Sequence, residues 1–219
     1  MTSFYAQLPR RPHKKLPRSV TPVIDANSEA RFTAPPLDLS FKHIGTLTMD
    51  LSEWAEEPRN NSKSLRKTDE GKYACVSLKL NNNLIQDWNG FEGFVTSLIS
   101  DAQELTWLDL SFNYLVNVDD VILKFPNLKI LYLHGNGVED LKEVEKLACL
   151  PKLMSLTLHG NPVDSERGYR HYVLTKIPQL RALDFSRVTK AERETAQTMV
   201  NFLGYGKKKE KKRRRPKTF

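Results

Sequence analysis

LTWLDLSFNYL, residues 105–115, recurs in outline twice more along this chain of 219 residues. The counterparts are LKILYLHGNGV at 128–138 and LMSLTLHGNPV at 153–163. All three read L-x-x-L-x-L-x-x-N-x-L/V, and their asparagines follow one another at intervals of 23 and 25 residues. Copies in such close register are very hard to explain by chance, so this pattern decides the fold.

The pattern extends in both directions. A fourth copy occupies 75–85, and a fifth begins at Leu180, with Phe185 in an apolar consensus position and Val188 where the asparagine would stand. This is the consensus of leucine-rich repeats. Two leucines two residues apart point to the same side of a strand, and one repeat cannot cover its own apolar face, so neighbouring repeats must stack. Loss of the asparagine at Val188 predicts that the stack ends there.

Each complete copy places an asparagine after its strand, where the chain turns. These residues are Asn83, Asn113, Asn136 and Asn161. A buried side-chain amide at this position can bond the backbone groups that a turn leaves unpaired. We therefore predict a structural ladder of four asparagines.

The repeats predict an α/β solenoid of about five repeats plus caps, with a short parallel sheet on the concave face and helices or irregular turns on the convex face. The predicted parts are a Pro-rich, basic, disordered arm (1–34), an N-terminal cap half repeat with a polar loop (35–72), the repeats (73–164), a C-terminal cap with a terminal helix (165–205) and a basic tail (206–219).

The convex segments are predicted to differ in length. Apolar residues at helical spacing predict helices over 91–103 and 138–150, whereas the segment 118–125 is short. In the C-terminal cap, Ser165 is predicted to cap a helix. The sequence TKAE at 189–192 predicts a capping box that opens the last helix.

The net charge of +8 is concentrated at the two ends. Residues 207–219 hold nine Lys or Arg and one Glu, and residues 1–18 hold five Lys or Arg and no acid. The remaining residues, 19–206, therefore carry 20 basic and 25 acidic side chains. The body is thus mildly acidic, and the two basic arms are predicted to contact acidic protein segments or nucleic acid.

The basic tail has several interpretations. Its cations are Lys207, Lys208, Lys209, Lys211, Lys212, Arg213, Arg214 and Arg215. They are compatible with a nuclear localisation signal, an RNA contact, a lipid-surface contact, a contact with acidic segments such as tubulin tails, or a solvated tail. No aromatic residues are interleaved, so base stacking is not indicated.

Nothing in the sequence resembles a signal peptide or a membrane span. Cys75 and Cys149 are both predicted to be small buried apolar groups rather than a disulfide framework. We therefore expect a cytoplasmic, reducing setting and no membrane contact.

The side chains between the core leucines are predicted to point from the strands onto the concave face, in columns. One column reads Lys79, Asp109, Tyr132, Thr157 and Asp184, and the next reads Ser77, Trp107, Ile130, Ser155 and Ala182. The predicted protein-binding residues are Lys79, Trp107, Asp109, Phe112, Ile130, Tyr132 and Thr157. A contiguous apolar patch with aromatic anchors is typical of a contact site, although an arm or loop of the same chain is an alternative cover for it.

The sequence contains no recognisable catalytic, cofactor or metal motif. His134 and His159 share a slot in adjacent repeats, but two histidines without a Cys or carboxylate beside them make a poor metal site. Asp109 and Asp184 are too many repeats apart to act as an acid–base pair. We therefore predict no catalytic residues, no metal and no cofactor.

Two stretches resemble known families. YRHYVLTKIPQLRALDFSRVTKAER, residues 169–193, resembles the C-terminal cap of the protein-phosphatase-regulator class of leucine-rich repeats, which a spliceosomal snRNP A-prime subunit and an axonemal dynein light chain share. Over 35–195, PPLDLSF at 35–41, EEPR at 56–59 and the repeat motifs resemble the leucine-rich repeat-containing protein 51 family.

The resemblance implies a small cytoplasmic protein that is not an enzyme, with relatives of its class common in cilia. The expected function is therefore a protein-binding scaffold or structural subunit of a larger assembly, with the ciliary or flagellar axoneme and microtubule-associated partners as one setting. A ribonucleoprotein component of the snRNP A-prime type and a phosphatase-regulator-type protein are the alternatives.

Overall fold

The computed structural model describes residues 34–47, 58–59 and 65–203. In this part of the chain seven strands form one sheet in chain order. They are β1 Leu37–Asp38, β2 Ser77–Lys79, β3 Trp107–Asp109, β4 Ile130–Tyr132, β5 Ser155–Thr157, β6 Ala182–Leu183 and β7 Ser186–Arg187. Strands β1 to β6 pair in parallel, and β7 pairs antiparallel with β6. The α/β leucine-rich-repeat solenoid is confirmed.

The leucine spacing accounts for this register. The central leucine of each parallel strand is fully buried and stands beside its equivalent in the next strand; these residues are Leu37, Leu78, Leu108, Leu131, Leu156 and Leu183. A second buried column follows each strand and comprises Leu39, Leu80, Leu110, Leu133 and Leu158. Burying each such side chain stabilises the fold by about 1.5–3 kcal/mol, so stacking the repeats supplies a continuous core.

The convex segments are more broken than the sequence predicts. The first is helix α1, Phe91–Leu98, followed by a separate 3-10 helix at Ala102–Glu104. The helix stops because Ile99 leaves it to form a bridge with Tyr73. The third segment is likewise divided, into α2, Leu141–Glu145, and a 3-10 helix at Lys146–Cys149.

The second convex segment is the short 3-10 helix Asp120–Lys124, as its length predicts. Phe125, which follows this 3-10 helix, packs against Phe91 of α1. Phe91 is fully buried, and its ring meets that of Phe125 edge-to-face at a centroid distance of 5.6 Å. The convex layer therefore closes the core against the sheet.

At the N-terminal end, β1 covers the edge of β2. Leu39 N–H donates to the carbonyl of Lys79 at 2.9 Å, which continues the ladder beyond the strand. The half repeat carries Lys42 where the other repeats have asparagine. Oδ1 of Asn83 in the next repeat accepts from the N–H groups of Lys42 and Ile44, at 2.9 and 3.1 Å. The predicted arm, most of the polar loop and the basic tail lie outside the described residues.

At the C-terminal end, helix α3, Tyr169–Lys176, packs on helix α4, Lys190–Leu203. The capping box is confirmed, because Glu192 N–H donates to Thr189 Oγ1 at 3.2 Å and Thr189 N–H donates to Glu192 Oε2 at 3.4 Å. The guanidinium of Arg170 on α3 bonds both carboxylate oxygens of Glu192, which ties the two helices together.

The prediction that Ser165 caps α3 is wrong. A 3-10 helix, Pro162–Ser165, ends at this residue, and its Oγ bonds Asp164 Oδ1 at 3.3 Å. Gly168 precedes α3 with φ at 82°, a left-handed conformation that glycine adopts without steric cost. This turn redirects the chain, so the helix begins later than predicted.

The last apolar consensus position is also predicted wrongly. The strand ends at Leu183, and Asp184 and Phe185 both have positive φ, at 52° and 59°. The chain therefore reverses into β7, and Phe185, predicted to face the core, is 63% exposed. For the same reason Asp184 does not join the concave column that the spacing predicts.

Cys75 is buried as predicted, but Cys149 is exposed, so the prediction for Cys149 is wrong. The 3-10 helix that ends at Cys149 gives the inward positions to Leu147 and Leu150, which are fully buried. Among the described residues no helix is both long enough and apolar enough to span a bilayer.

Candidate protein-binding surface

The asparagines set the path of every turn after a strand. Asn113 is representative: its Nδ2 donates to the carbonyls of Leu80 and Leu110, both at 3.0 Å, and its Oδ1 accepts from Ile85 N–H at 3.1 Å. The equivalent bonds of Asn83, Asn136 and Asn161 join each repeat to the one before it. The ladder therefore fixes the spacing of the residues that precede each asparagine.

The residue before each asparagine, and before Lys42 in the half repeat, has a left-handed backbone. The column comprises Phe41, Asn82, Phe112, Gly135 and Gly160, with φ between 53° and 71°. Glycine adopts this conformation freely, whereas a bulky side chain in it is strained by about 1–3 kcal/mol. The strained Phe112 is held on the surface, 53% exposed. The same φ recurs in every repeat, so it belongs to the geometry of the turn.

Gly135 makes room for Phe112. A Cβ at position 135 would lie 2.6 Å from Cδ1 of the Phe112 ring, which is closer than carbon atoms can approach. The ring of Phe112 also meets the His134 imidazole edge-to-face, at a centroid distance of 5.0 Å. The glycine therefore lets the phenylalanine lie flat along the surface of the next repeat.

Trp107 and Tyr132 form the other half of the surface. Their partly exposed rings lie edge-to-face with centroids 6.1 Å apart, and Lys79 Nζ lies 5.6 Å from the Trp107 ring centroid. Ile130 pairs with Trp107 across β3 and β4. The indole N–H of Trp107 finds no acceptor among the described residues, so ring packing holds this side chain.

The two histidines share a column, as their spacing predicts. The rings of His134 and His159 are stacked, with centroids 4.6 Å apart and planes 8° apart. His134 Nδ1 lies 2.8 Å from Thr157 Oγ1, which orients the ring. Among the described residues no group of three or more His, Cys, Asp or Glu is placed to hold a metal ion.

Phe185 completes the surface, although its consensus position predicts that it faces the core. Its ring centroid lies 5.3 Å from that of Tyr132 and 5.6 Å from those of His134 and His159. The consensus spacing concealed it, and the only signal was the missing asparagine at Val188, which marks the end of the stack. We call Trp107, Phe112, Tyr132, His134, His159 and Phe185 the aromatic surface.

Two of the predicted contact residues lie beneath this surface. Asp109 is buried, and its Oδ1 accepts from the N–H and hydroxyl of Ser111 at 3.0 and 2.6 Å. Thr157 is fully buried under His134. The repeat spacing correctly places both residues in the concave column. Both side chains are buried, so they support the aromatic surface from below and are not available to contact a partner.

The buried Asp109 also affects the ring above it. Partial burial raises the pKa of the Tyr132 phenol, and the nearby Asp109 carboxylate raises it further. The phenol is therefore neutral at pH 7 and available as a hydrogen-bond donor. The basic-tail residues predicted to contact an acidic partner lie outside the described part of the chain.

The stacked histidines predict a pH dependence. Burial lowers the pKa of His134, and the neighbouring His159 lowers it further, against opposing effects of Asp109 and Asp184. The unfolded chain titrates near the ordinary value of about 6.5, so the folded state binds fewer protons on His134. The neutral His134 ring therefore favours the folded state fully above the pKa of the unfolded chain, about 6.5. This contribution to the free energy of unfolding is lost as the pH falls through the lower pKa of the folded state.

NMR titration of the His134 ring should therefore give a midpoint below about 6.5. In His159→Ala the midpoint should rise, because a neighbouring positive charge is removed and solvent reaches the ring. A midpoint that is the same in both proteins contradicts the electrostatic coupling of the stacked rings.

Comparison with known proteins agrees with this architecture. A leucine-rich-repeat family model matches residues 102–213. Leucine-rich repeat-containing protein 51 of Mus musculus is 49% identical over 163 residues, which cover 74% of this chain and 83% of that protein. A probable U2 small nuclear ribonucleoprotein A' of Caenorhabditis elegans is 42% identical over 90 residues, 41% of this chain and 35% of that protein.

A solved structure shares the fold. The crystal structure of the Drosophila melanogaster SNF/U2A' complex matches with a TM-score of 0.54 and 24% identity, covering 74% of this chain and 79% of the matched chain. Together with the extent of the sequence match, the repeats and both caps show that this chain belongs to the leucine-rich repeat-containing protein 51 family.

Proposed function

We propose that this chain is a non-catalytic scaffold that binds a protein partner on the aromatic surface. The observation that carries the proposal is the continuous contact of six rings across β3, β4, β5 and the C-terminal turn. Proteins with leucine-rich repeats are generally interaction modules, and the family supports this class of function.

The physical reason is the low entropic cost of binding to rigid rings. Neighbouring rings hold one another in place, so a partner orders few side chains when it docks. Phe112 and Phe185 are more than half exposed, and covering their apolar area contributes favourably to binding. Aromatic residues are also enriched among the few positions that dominate interface energy.

We further propose that the partner belongs to a larger cytoplasmic assembly, with the ciliary or flagellar axoneme as the setting. Support comes from the class resemblance of the C-terminal cap, which an axonemal dynein light chain shares. Tagging the protein in ciliated cells tests this: enrichment along the axoneme is expected, and uniform exclusion from cilia contradicts the setting without touching the scaffold function.

The aromatic surface is tested by substitution in the full chain. Trp107→Ala combined with Tyr132→Ala should lower the amount of specifically copurified protein at least tenfold, because each removes a ring from the centre of the interface. The measurement is quantitative mass spectrometry of native purifications from the cells that express the protein.

Two variants serve as controls. Trp107→Phe keeps an aromatic ring at the position and should retain most binding, and Phe202→Ala removes an exposed ring on α4, 78% exposed in the structure, away from the aromatic surface. Circular dichroism must show that the double variant is folded. The scaffold proposal is wrong if the folded double variant keeps every partner.

A ribonucleoprotein component is the second candidate. It is supported by the C. elegans relative, whose name places it in a ribonucleoprotein, and by the basic tail. Binding through the tail would be driven by phosphate contacts and would weaken steeply with salt. RNA that stays with the purified protein at low salt and is lost in a chain truncated after residue 206 would favour this function.

A further inference from the structure

A second apolar surface lies at the turn edge of the repeats, beyond the asparagine ladder. A groove of about 950 Å³ is lined there by Leu84, Gln86, Tyr114, Val116, Gly135 and Gly137, and we call it the turn-edge groove. The side chains of Leu84, Tyr114 and Val116 are 41%, 58% and 63% exposed. Large apolar side chains grouped in this way on a surface mark a contact site.

The repeat geometry explains why the groove is open. Tyr114 and Gly137 occupy the same position of adjacent repeats, directly after the asparagine. A Cβ at position 137 would lie 3.3 Å from Val116 Cγ1, so glycine leaves that side chain uncovered. The fully bonded Asn113 and Asn136 form a rigid floor beneath it. The groove is therefore preformed.

The turns whose residues line the groove are rich in acidic residues. The three turns that form it, residues 84–90, 114–120 and 137–140, contain five carboxylates and no Lys or Arg: Asp87, Asp119, Asp120, Glu139 and Asp140. Lys146 approaches Asp120 at 4.0 Å, and among the described residues no cation lies within ion-pair distance of the other four. We call these five carboxylates the rim. A segment with apolar side chains for the groove and basic side chains for the rim would match both.

The chain itself contains such a segment. Residues 4–8 are Phe-Tyr-Ala-Gln-Leu, and residues 10–18 contain three arginines and two lysines. The other basic segment, 207–219, has nine cations but a single apolar side chain, Phe219, so it would match the rim and not the groove. Residues 1–33 lie outside the described part of the chain, and their sequence alone supports this choice.

The distance is well within reach. The described chain begins at Ala34, which packs against the core beside β1. The groove spans the repeats of β2, β3 and β4, roughly 15 Å away across three strand spacings. Thirty-three residues can extend over roughly 100 Å. A tether of this length holds the segment near the groove at an effective concentration in the range of mM, so even weak contacts would keep it bound.

We propose that the N-terminal segment of this chain binds in the turn-edge groove, with apolar side chains from Phe4 to Leu8 against Tyr114 and Val116. The basic residues from Arg10 to Arg18 then face the carboxylates of the rim. The groove meets the aromatic surface where the Phe112 ring lies over Gly135, and the proposed contact does not depend on the function proposed for that surface.

Photo-crosslinking in the full chain tests the contact. The substitution Tyr114→benzoylphenylalanine places a reactive ketone in the groove, and Lys152→benzoylphenylalanine places one on an exposed position after the convex segment as a control. After irradiation and digestion, mass spectrometry should find crosslinks from position 114 to residues 1–33 at least tenfold more often than from position 152. Mixing heavy and light isotope copies separates contacts within one chain from contacts between copies.

Charge and salt provide the second arm. Replacing Arg10, Arg11, Lys14 and Lys15 with glutamate, or raising NaCl to 1 M, should lower the crosslink yield from position 114 at least fivefold, because the rim no longer attracts the segment. The four substitutions lie outside the described residues, and circular dichroism in 1 M NaCl checks that the repeats stay folded in the salt arm. Crosslinks to residues 204–219, crosslinks between copies, or no crosslinks to residues 1–33 would each overturn the proposal.

Discussion

Replacing Asn113 with alanine should lower the free energy of unfolding by about 3 kcal/mol, measured by urea denaturation of the full chain. The side chain is 5% exposed and bonds Leu80, Ile85 and Leu110 in the backbone of two adjacent repeats. Alanine leaves one buried N–H without its acceptor and deprives two carbonyls of a donor. Each buried group left unsatisfied costs about 1–3 kcal/mol, and the smaller side chain adds a cavity.

Asn117→Ala is the matched control. Asn117 is exposed, and it contributes to the structure through its backbone carbonyl, which accepts from the Trp88 indole at 3.0 Å and survives the substitution. Its effect should stay within about 0.5 kcal/mol. If both variants unfold at the same urea concentration as the unaltered chain, the ladder is a consequence of the turns and does not stabilise them.

Asp184→Ala should lower the free energy of unfolding by about 2–4 kcal/mol, because one carboxylate stands in for the parallel strand that would follow β6. In the preceding repeats, the first residue after each strand donates to a backbone carbonyl of the next strand, as Leu133 does to Thr157 at 3.0 Å. After β5 the side-chain carboxylate of Asp184 takes the place of that backbone carbonyl as the acceptor. Its Oδ1 accepts from the N–H groups of Leu158 and His159 at 2.7 and 3.0 Å, and Oδ2 accepts from the Tyr169 hydroxyl at 2.9 Å.

Asp184→Asn separates the roles of charge and acceptor. The amide oxygen can still accept from both backbone N–H groups, and the amide nitrogen can donate to the Tyr169 oxygen. We expect less than half the loss seen with alanine, measured by thermal unfolding at pH 7. A loss as large as that of the alanine variant would show that the negative charge, and not the acceptor, closes the sheet.

Asp184 also affects the candidate surface. It holds the turn whose next residue is Phe185, and Phe185 places its ring against Tyr132 and His159. The alanine variant should therefore weaken partner binding as well as stability, even though the side chain of Asp184 is only 17% exposed. The same carboxylate thus links the end of the sheet to the surface that we propose to be functional.

Much of the site follows from periodicity, and the exceptions occur where periodicity stops. The spacing of Trp107 and Tyr132 places them on adjacent strands, and the structure brings their rings into contact. The same spacing gives no information about side-chain size, which is why Thr157 is covered by His134. Phe185 stands where a leucine stands in complete repeats, and the spacing therefore predicts, wrongly, that it faces the core.

The sequence by itself determined the solenoid, the order and register of its parallel strands and the asparagine ladder. Those features depend on which side of a strand each residue faces, and covalent geometry sets that alternation within every repeat. Only the tertiary structure decided where α3 begins, that Cys149 is exposed, and that Asp184 and Phe185 leave the sheet. After β6 no further repeat follows to supply backbone partners, so the chain satisfies Leu158 and His159 with a side chain and turns an aromatic ring onto the surface.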